Sequence, residues 1–232
     1  MKLNSICVHA GNNPDETGAR QIPIHQSASF VFKSAEHAEN LFALKEVGYI
    51  YSRLTNPTIS ALQERMAAVE GGVGAVACAS GHAAQLTAFH NLLQSGDEFI
   101  SSKKLYGGSI NQFKHSFKQY GWNVKFVDVE NLDAVQQAIT EKTKFIFVES
   151  LSNPEGAVAD IKALAKVAHD NGIPLLVDNT IATAVLIKPI EHGADIIINS
   201  TTKFLAGNGS AIGGGFIDSG NFDWSQNDKF PL

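Results

Sequence analysis

The chain has 232 residues, of which 44% are hydrophobic and 18% charged, so it is long enough to form one large domain with a substantial core. Its formal net charge of −5 and the lack of any block of like charges argue against a nucleic-acid-binding surface. The longest apolar runs are too short to span a membrane, and two isolated cysteines without a signal sequence indicate a reduced, cytoplasmic protein.

The first part of the chain predicts an irregular arm and two helices. The arm reaches to about Lys33, Ser34 is placed to cap the first helix, and the second helix follows an irregular stretch at 48–57. Such a segment cannot easily bury a core of its own. Residues 1–58 are therefore predicted to pack on a partner subunit or another domain, and the alternative is that they lie on the chain's own sheet.

From about Gly74, short β-branched or aromatic runs alternate with amphipathic segments, which is typical of βαβ units. Residues 59–232 therefore predict an α/β domain with helices on both faces of a mainly parallel sheet. The predicted strands are 75–79, 98–101, 123–127, 145–149, 174–178 and 195–200, with 214–218 as a seventh. Helices are predicted to start near Gly81, Gly108, Asn131, Asp160 and Pro189. The chain ends at Pro231 and Leu232 directly after this pattern with no closing helix, so a further C-terminal part is expected to be missing.

A lysine and an aspartate follow two of the predicted buried strands. Lys203 comes after strand 195–200, between hydroxyl residues and a glycine-rich turn, and Asp178 ends strand 174–178. Because ligands bind at the carboxyl ends of parallel strands, the two side chains can converge on one crevice. A lysine there can serve as a nucleophile, and a carboxylate can keep a ring nitrogen protonated. Each residue taken alone has an ordinary alternative, a solvated loop lysine or a local cap.

Two glycine-containing turns add a phosphate site and a stacking ring. Ser80-Gly81-His82 leads from a strand into a helix whose free N–H groups favour an anion, and the hydroxyls of Ser200 and Thr202 can add donors. Tyr106, before Gly107-Gly108, can stack on a flat ring, although a tyrosine that closes the core is as common. Taken together, these residues suit a phosphorylated pyridine aldehyde.

The sequence resembles the Cys/Met-metabolism group of fold-type I pyridoxal-phosphate (PLP) enzymes over nearly its whole length. Within the group, the chain resembles the O-acetylhomoserine sulfhydrylase branch at two segments, Asn111-Gln112-Phe113 and Ser219-Gly220-Asn221-Phe222-Asp223-Trp224. Methionine γ-lyases, in contrast, tend to have cysteine in place of Gly108. The motifs that carry the family resemblance are Tyr51-Ser52-Arg53-Leu54-Thr55-Asn56-Pro57-Thr58, Ser80-Gly81-His82-Ala83-Ala84, Leu105-Tyr106-Gly107-Gly108-Ser109, Glu149-Ser150-Leu151-Ser152-Asn153-Pro154, Val177-Asp178-Asn179-Thr180 and Ser200-Thr201-Thr202-Lys203-Phe204.

The resemblance implies a seven-stranded large domain of the fold-type I transferases and a role for each site residue. Lys203 would hold PLP as a Schiff base and move the Cα proton, Asp178 would pair with the pyridine nitrogen, and Tyr106 would stack on the ring. Asn153 would bind the phenolic oxygen. The phosphate ligands implied are Ser80, the amides of Gly81 and His82, the hydroxyls of Ser200 and Thr202, and Tyr51 and Arg53 from a neighbouring subunit.

The implied reaction is γ-replacement, in which O-acetyl-L-homoserine reacts with sulfide or methanethiol to give homocysteine or methionine. The resemblance also implies a homodimer or homotetramer with shared active sites, and a missing C-terminal small domain that would bind the substrate carboxylate. Asn208 stands where the family usually has histidine, and 179–185 lacks a proline common among the sulfhydrylases.

The sequence leaves room for three alternative functions. The first is another enzyme of the same family, a cystathionine γ-synthase, cystathionine γ-lyase or methionine γ-lyase. The second is a catalytically silent PLP-binding module, which the expected missing domain suggests. A nucleotide-binding domain is disfavoured because neither GxGxxG after the first strand nor GxxxxGK[ST] occurs. The eight histidines are scattered without close ligand spacing, so no metal is predicted.

Overall fold

The structure, a computed structural model, describes residues 1–226 and 228–230. Within these residues seven strands form one sheet. The strands are β1 (Gly74–Cys78), β2 (Glu98–Ser102), β3 (Asn123–Val127), β4 (Thr143–Glu149), β5 (Leu175–Asp178), β6 (Ile196–Asn199) and β7 (Gly214–Asp218). Their order across the sheet is β1-β7-β6-β5-β4-β2-β3. The predicted α/β fold with a mainly parallel sheet is confirmed, and every predicted strand agrees with an observed one to within about two residues.

One strand runs against the others. β7 is antiparallel to both of its neighbours, β1 and β6, whereas the pairs among β2 to β6 are parallel. It follows that β1 runs in the same direction as β6. The carboxyl ends of β1 to β6 therefore lie along one edge of the sheet, which is where ligands bind in this class of fold.

The helices cover both faces of the sheet. They are α1 (Leu3–His9), α2 (Ala35–Phe42), α3 (Pro57–Glu70), α4 (Gly81–Leu92), α5 (Gly107–Asn111), α6 (Leu132–Ala138), α7 (Ile161–Asp170) and α8 (Thr183–Leu186). The predicted cap is confirmed, because the hydroxyl of Ser34 accepts a hydrogen bond from the amide of His37 at 3.1 Å. After α5 the chain continues through a π turn and a 3-10 turn to Tyr120.

Two predictions about helices were wrong. The helix expected from Pro189 is one 3-10 turn, Pro189–His192, because Gly193 adopts the left-handed conformation (φ 99°) and β6 begins soon after it. The arm was expected to be irregular but contains α1. This helix has no side-chain cap and no buried residue, so the sequence carries neither signal by which helices are recognised.

The core consists of an aromatic layer and an aliphatic layer on opposite faces of the sheet. β4 shows how one strand serves both, because Phe145 and Phe147 pack into one layer while Ile146 and Val148 pack into the other. Alternation with period two places successive side chains on opposite faces, and helices cover both faces of a parallel sheet. All four side chains are fully buried. The sheet is therefore a rigid platform for the residues at its edge.

The N-terminal arm is held to the rest of the chain mainly through α3. Arg65 donates to the carbonyl of Ala10 at 2.8 Å, and the side-chain amide of Asn56 donates to the carbonyl of His25 at 2.9 Å. Of residues 1–55, all of which the structure describes, only Leu41 is buried. The assignment of residues 1–58 to a partner contact stays a prediction.

Pro231 and Leu232, on which part of the expectation about the chain end rests, lie outside the described residues. None of the helices in the described part of the chain has the length and apolar character that a membrane crossing requires.

Candidate active site

The candidate site lies at the edge of the sheet where the carboxyl ends of the strands meet. Here Glu149, at the end of β4, stands opposite Asp178, at the end of β5, in the parallel pairing. Ser200 follows β6, and its amide donates to the hydroxyl of Thr180 at 2.8 Å, which joins the ends of β5 and β6. Lys203 lies in the turn that continues from Ser200. The predicted convergence of Asp178 and Lys203 on one edge thus agrees with the strand order.

Asp178 carries a carboxylate that forms no ion pair with any residue of 1–226 or 228–230. Its Oδ1 accepts the amide of Thr180 at 3.0 Å, and its Oδ2 lies 3.4 Å from the side-chain nitrogen of Gln85. Burial raises the pKa of Asp178, and the hydrogen bonds from Thr180 and Gln85, together with the nearby His82, act against that rise. Among the described residues, no Lys, Arg or His forms an ion pair with it. A cationic group of a ligand beside Asp178 would therefore be stabilised.

Glu149 is a second carboxylate at this edge, and it is only 7% exposed. Burial, and after it the negative charge of Asp178, raise the pKa of Glu149 to about 7, against the hydrogen bonds from the amides of Tyr106 and Asn153. Two neighbouring carboxylates of raised pKa in one site indicate that the protein alone does not balance their charge.

The start of α4 forms a cradle suited to an anion. The hydroxyl of Ser80 caps this helix by accepting the amide of Ala83 at 3.1 Å. The amides of Gly81 and His82 precede it, and the first N–H groups of a helix have no acceptor within the helix. A Cβ atom added at Gly81 would lie 2.7 Å from the Cβ of Ser200, so only glycine lets this turn approach the end of β6 so closely. The predicted phosphate residues Gly81 and Ser200 are thus in direct contact.

Tyr106 stands over this cradle with half of its surface exposed. Its ring is stacked with that of His82 at a centroid distance of 5.8 Å and an interplanar angle of 29°. A Cβ atom at Gly108 would lie 2.4 Å from the ring of Tyr106 and 2.9 Å from that of His82. The absence of a side chain at Gly108 therefore makes room for the ring of Tyr106. A cysteine at this position would displace one of the two rings.

The remaining predicted residues are placed less directly. The hydroxyl of Thr202 lies 3.0 Å from both the amide and the carbonyl of Gly213, so its proton already has an acceptor in the protein. The side chain of Asn153 is exposed beside the site, and the backbone amide of Asn153 donates to the carboxylate of Glu149 at 2.9 Å.

Tyr51 and Arg53 lie on the N-terminal segment, where the guanidinium is 5.2 Å from the centroid of the tyrosine ring. In the part of the chain that the structure describes, no recorded hydrogen bond, ion pair or ring contact joins either residue to the other predicted site residues. The two residues therefore stand apart from the site within one chain.

The groups at this edge of the sheet match the parts of PLP. An anion cradle at α4, an exposed tyrosine ring and an unpaired carboxylate correspond to a phosphate, a flat ring and a protonated nitrogen. Lys203 supplies an amine on the same edge. The residues present fit the cofactor. Among the described residues, no three His, Cys, Asp or Glu side chains are grouped so that they could hold a metal ion.

Sequence reasoning missed three residues that organise the site: Glu149, Gln85 and Thr180. Glu149 ends a buried strand just as Asp178 does, and that signal was available. Gln85 donates to the hydroxyl of Ser109 at 3.0 Å and lies near Asp178, but a glutamine inside a helix carries no recognisable pattern. Thr180 joins two strand ends through a contact that depends on the strand order.

The comparison with protein families defines the class of the chain. Residues 4–231 match the family described as Cys/Met metabolism PLP-dependent enzyme. The chain belongs to this family, which confirms the resemblance read from its motifs.

Individual relatives narrow the comparison further. The chain is 50% identical to the O-acetyl-L-homoserine sulfhydrylase of Corynebacterium glutamicum over 228 residues, which cover 97% of this chain and 52% of the relative. It is 46% identical to O-acetyl-L-homoserine sulfhydrylase 1 of Thermus thermophilus over 235 residues, 100% of this chain and 56% of the relative. The chain thus spans about half the length of the curated relatives it matches.

Two solved structures also resemble this chain over nearly its whole length. A crystal structure from Campylobacter jejuni, named as an O-acetylhomoserine (thiol)-lyase and containing N'-pyridoxyl-lysine-5'-monophosphate, superimposes with a TM-score of 0.96 at 38% identity and covers 99% of this chain and 57% of that one. Cystathionine gamma-lyase from Lactobacillus plantarum, complexed with L-serine, gives a TM-score of 0.87 at 34% identity and covers 94% of this chain and 55% of that one.

Proposed function

We propose that this chain is the cofactor-binding part of a PLP-dependent enzyme that replaces the acetate of O-acetyl-L-homoserine with sulfide or methanethiol. The observation that carries the proposal is the carboxylate of Asp178, which stands at the strand edge without a basic partner among the described residues. A protonated pyridine nitrogen supplies the missing charge. The 50% identity with a sulfhydrylase supports the choice of substrate.

In this proposal each predicted residue has one task. The ε-amine of Lys203 binds the cofactor's aldehyde covalently, and Asp178 keeps the ring nitrogen protonated. Tyr106 covers the ring, and Asn153 binds the phenolic oxygen. The phosphate ligands proposed are Ser80, Gly81, His82, Ser200 and Thr202, with Tyr51 and Arg53 from a second copy of the chain.

The chemistry divides between the cofactor and the protein. Bound PLP supplies an electron sink that stabilises negative charge at Cα of an amino acid. Lys203 Nζ takes the Cα proton of O-acetylhomoserine and returns a proton later in the reaction. Asp178 would hold the protonated ring nitrogen in place, and Tyr106, which is stacked with His82, would orient the ring. The net change breaks the bond from Cγ to the acetate oxygen and forms a bond from Cγ to sulfur.

A second copy of the chain is part of the proposal. The N-terminal segment bearing Tyr51 and Arg53 exposes large apolar side chains, among them Phe42 (67%), Leu44 (90%) and Val47 (101%). Their burial against another copy would stabilise a homodimer or homotetramer and bring the two polar residues to its site. Light scattering of the purified chain tests this. A species that stays monomeric over the whole concentration range would contradict it.

The tether to Lys203 is tested by absorbance. The chain is purified with PLP, and its visible spectrum is compared with those of Lys203→Ala and of Lys162→Ala, which removes an exposed lysine on α7. We expect the band of lysine-bound PLP in the wild type and in the control, but not in Lys203→Ala. Borohydride reduction followed by peptide mass spectrometry should place the pyridoxyl group on Lys203. A label on another lysine would overturn the assignment.

The substrate is tested by product analysis. Release of acetate from O-acetylhomoserine with formation of homocysteine in sulfide would support the proposed reaction. Formation of cystathionine with cysteine as the nucleophile, and none of homocysteine with sulfide, would assign the chain to another branch of its family. A reducible band without any acetate release above that in buffer would favour a catalytically silent PLP-binding module.

A further inference from the structure

Glu149 binds two loops of the site at once. Its Oε1 accepts the amide of Tyr106 at 2.7 Å, and its Oε2 accepts the amide of Asn153 at 2.9 Å. Tyr106 follows β2 and Asn153 follows β4, and these two strands are neighbours in the sheet. Since the carboxylate uses one oxygen for each loop, its position fixes the separation of the two backbones.

The start of the Asn153 loop is fixed to the end of β5, because the amide of Ser150 donates to the carbonyl of Asp178 at 2.9 Å and its hydroxyl donates to the side chain of Asn179 at 2.7 Å. Further along, the loop forms internal hydrogen bonds. The amide of Ser152 donates to the carbonyl of Ala157 at 2.9 Å, and the hydroxyl of Ser152 accepts the amide of Ala157 at 3.0 Å. The amide of Asn153 points out of this loop toward Glu149. The bond to Glu149 therefore ties the part of the loop beyond Ser152 to the end of β4, in addition to the contacts made by Ser150.

Glu149 forms no ion pair within the described part of the chain. From β5 it faces Asp178. From the other side it lines a cavity of about 220 Å³ together with Lys104, Glu130 and Asp160. Lys104 pairs with Glu130 at 2.6 Å, and Asp160 caps α7. Within the described residues the ionised form of Glu149 is thus supported by the two amides alone, which is consistent with its raised pKa.

We propose that Glu149 is a positioning residue that sets the separation of Tyr106 and Asn153 across the cofactor and transmits the charge at Asp178 to both loops. A cationic ring nitrogen beside Asp178 favours the ionised form of Glu149, since an opposite charge nearby lowers the cost of both carboxylates. The ionised form accepts both amides, whereas a protonated oxygen is a weaker acceptor. Cofactor binding would then tighten the two loops around the ring. The inference rests on the proposed function only for the identity of that ring.

The first test needs no cofactor. Amide hydrogen exchange of Tyr106 and Asn153 is measured in the wild type, in Glu149→Gln and in Glu141→Gln, which changes an exposed carboxylate just before β4. We expect both amides to be protected in the wild type and in Glu141→Gln, and at least one to exchange about tenfold faster in Glu149→Gln. Equal exchange in all three proteins would overturn the proposal even if PLP did not bind.

The second test follows bound PLP by its induced circular dichroism, which reports how the ring is held. Dissociation constants and spectra are compared about one pH unit below and above 7. In Glu149→Gln we expect the reducible link to Lys203 to remain, the dissociation constant to rise about tenfold, and its pH dependence to differ from that of the wild type. A residue with a purely structural role would change the affinity without changing the pH profile, and that result would overturn the proposal.

A third variant keeps the tests decisive if Glu149→Gln does not fold. Glu149→Asp retains the charge but is one methylene shorter, so it can reach only one of the two amides. We expect it to protect one amide and to leave the other in fast exchange. Thermal unfolding of each variant without PLP shows that the fold is intact. Protection of both amides in Glu149→Asp would contradict the bridging role.

Discussion

Replacing Glu149 by glutamine should change how the stability of the cofactor-free chain depends on pH. A folded-state pKa of about 7, against the ordinary value of 4.5, means that the folded chain holds this proton more tightly than the unfolded chain does. The stabilisation that the protonated Glu149 contributes is therefore fully present below about pH 4.5 and is lost as the pH rises toward 7. Since a tenfold change in proton affinity is about 1.4 kcal/mol, the loss from this one group is on the order of 3 kcal/mol.

The assay is denaturant unfolding without PLP at a series of pH values from about 4.5 to 8, in the wild type and in Glu149→Gln. Other carboxylates also have a pKa raised by burial, among them Glu70, Asp178 and Asp195, so the wild-type curve alone does not isolate Glu149. The difference between the wild-type and Glu149→Gln curves isolates the contribution of Glu149. Glutamine cannot ionise, so the part of the pH dependence that comes from Glu149 disappears in the variant.

Glu141→Gln, an exposed carboxylate just before β4, is the matched control and should follow the wild type at every pH. A free-energy difference between wild type and Glu149→Gln that stays constant across the pH series would refute the reasoning. It would mean that Glu149 has the same proton affinity in the folded and unfolded chains.

Three further predictions concern the cradle, the core and the arm. Gly81→Ala should weaken PLP binding by about tenfold or more and destabilise the fold by roughly 1–3 kcal/mol, because its Cβ would lie 2.7 Å from that of Ser200; Gly74→Ala, with open space around it, is the control. Phe89→Ala, at the centre of the aromatic layer, should cost about 3–5 kcal/mol in denaturant unfolding, and a smaller loss would mean that the layer repacks. Ser34→Ala should destabilise α2 by about 1 kcal/mol, visible as faster amide exchange confined to that helix.

The sheet could be predicted from the sequence because its strands are buried on both faces. Continuous apolar runs such as Phe145 to Val148 leave little choice of element, and the glycines and caps between them mark the boundaries. The arm could not be predicted in the same way. α1 buries nothing, and it is held by single contacts such as the one from Arg65 to Ala10, which leave no periodic trace in the sequence.

The site was predictable where one residue type suits only one task. Lys203 after a buried strand, Asp178 at a strand end and Gly81 before a helix each carry such a signal, and the motifs together carry the family resemblance. The supporting contacts depend on which strands are neighbours. Glu149 can meet the amide of Tyr106 only because β2 lies next to β4, although β3 follows β2 in the chain. Strand order is a tertiary property, so the sequence can mark Glu149 as a strand-end carboxylate but cannot show which loops it binds.

Buried carboxylates at the two edges of the sheet differ in whether a basic side chain lies beside them. At the amino edge, Asp195 is 2% exposed and accepts the amide of Leu175, but His169 lies 2.8 Å away and can match its charge. At the carboxyl edge, Asp178 and Glu149 face each other, and the described residues offer neither of them an ion pair. A protein that needed these carboxylates only for its fold could have paired them in the same way. The charges of Asp178 and Glu149 thus lie at the edge where the proposed cofactor brings a cationic nitrogen, and its binding should stabilise the chain more as the pH rises through the pKa of Glu149 and this carboxylate becomes ionised.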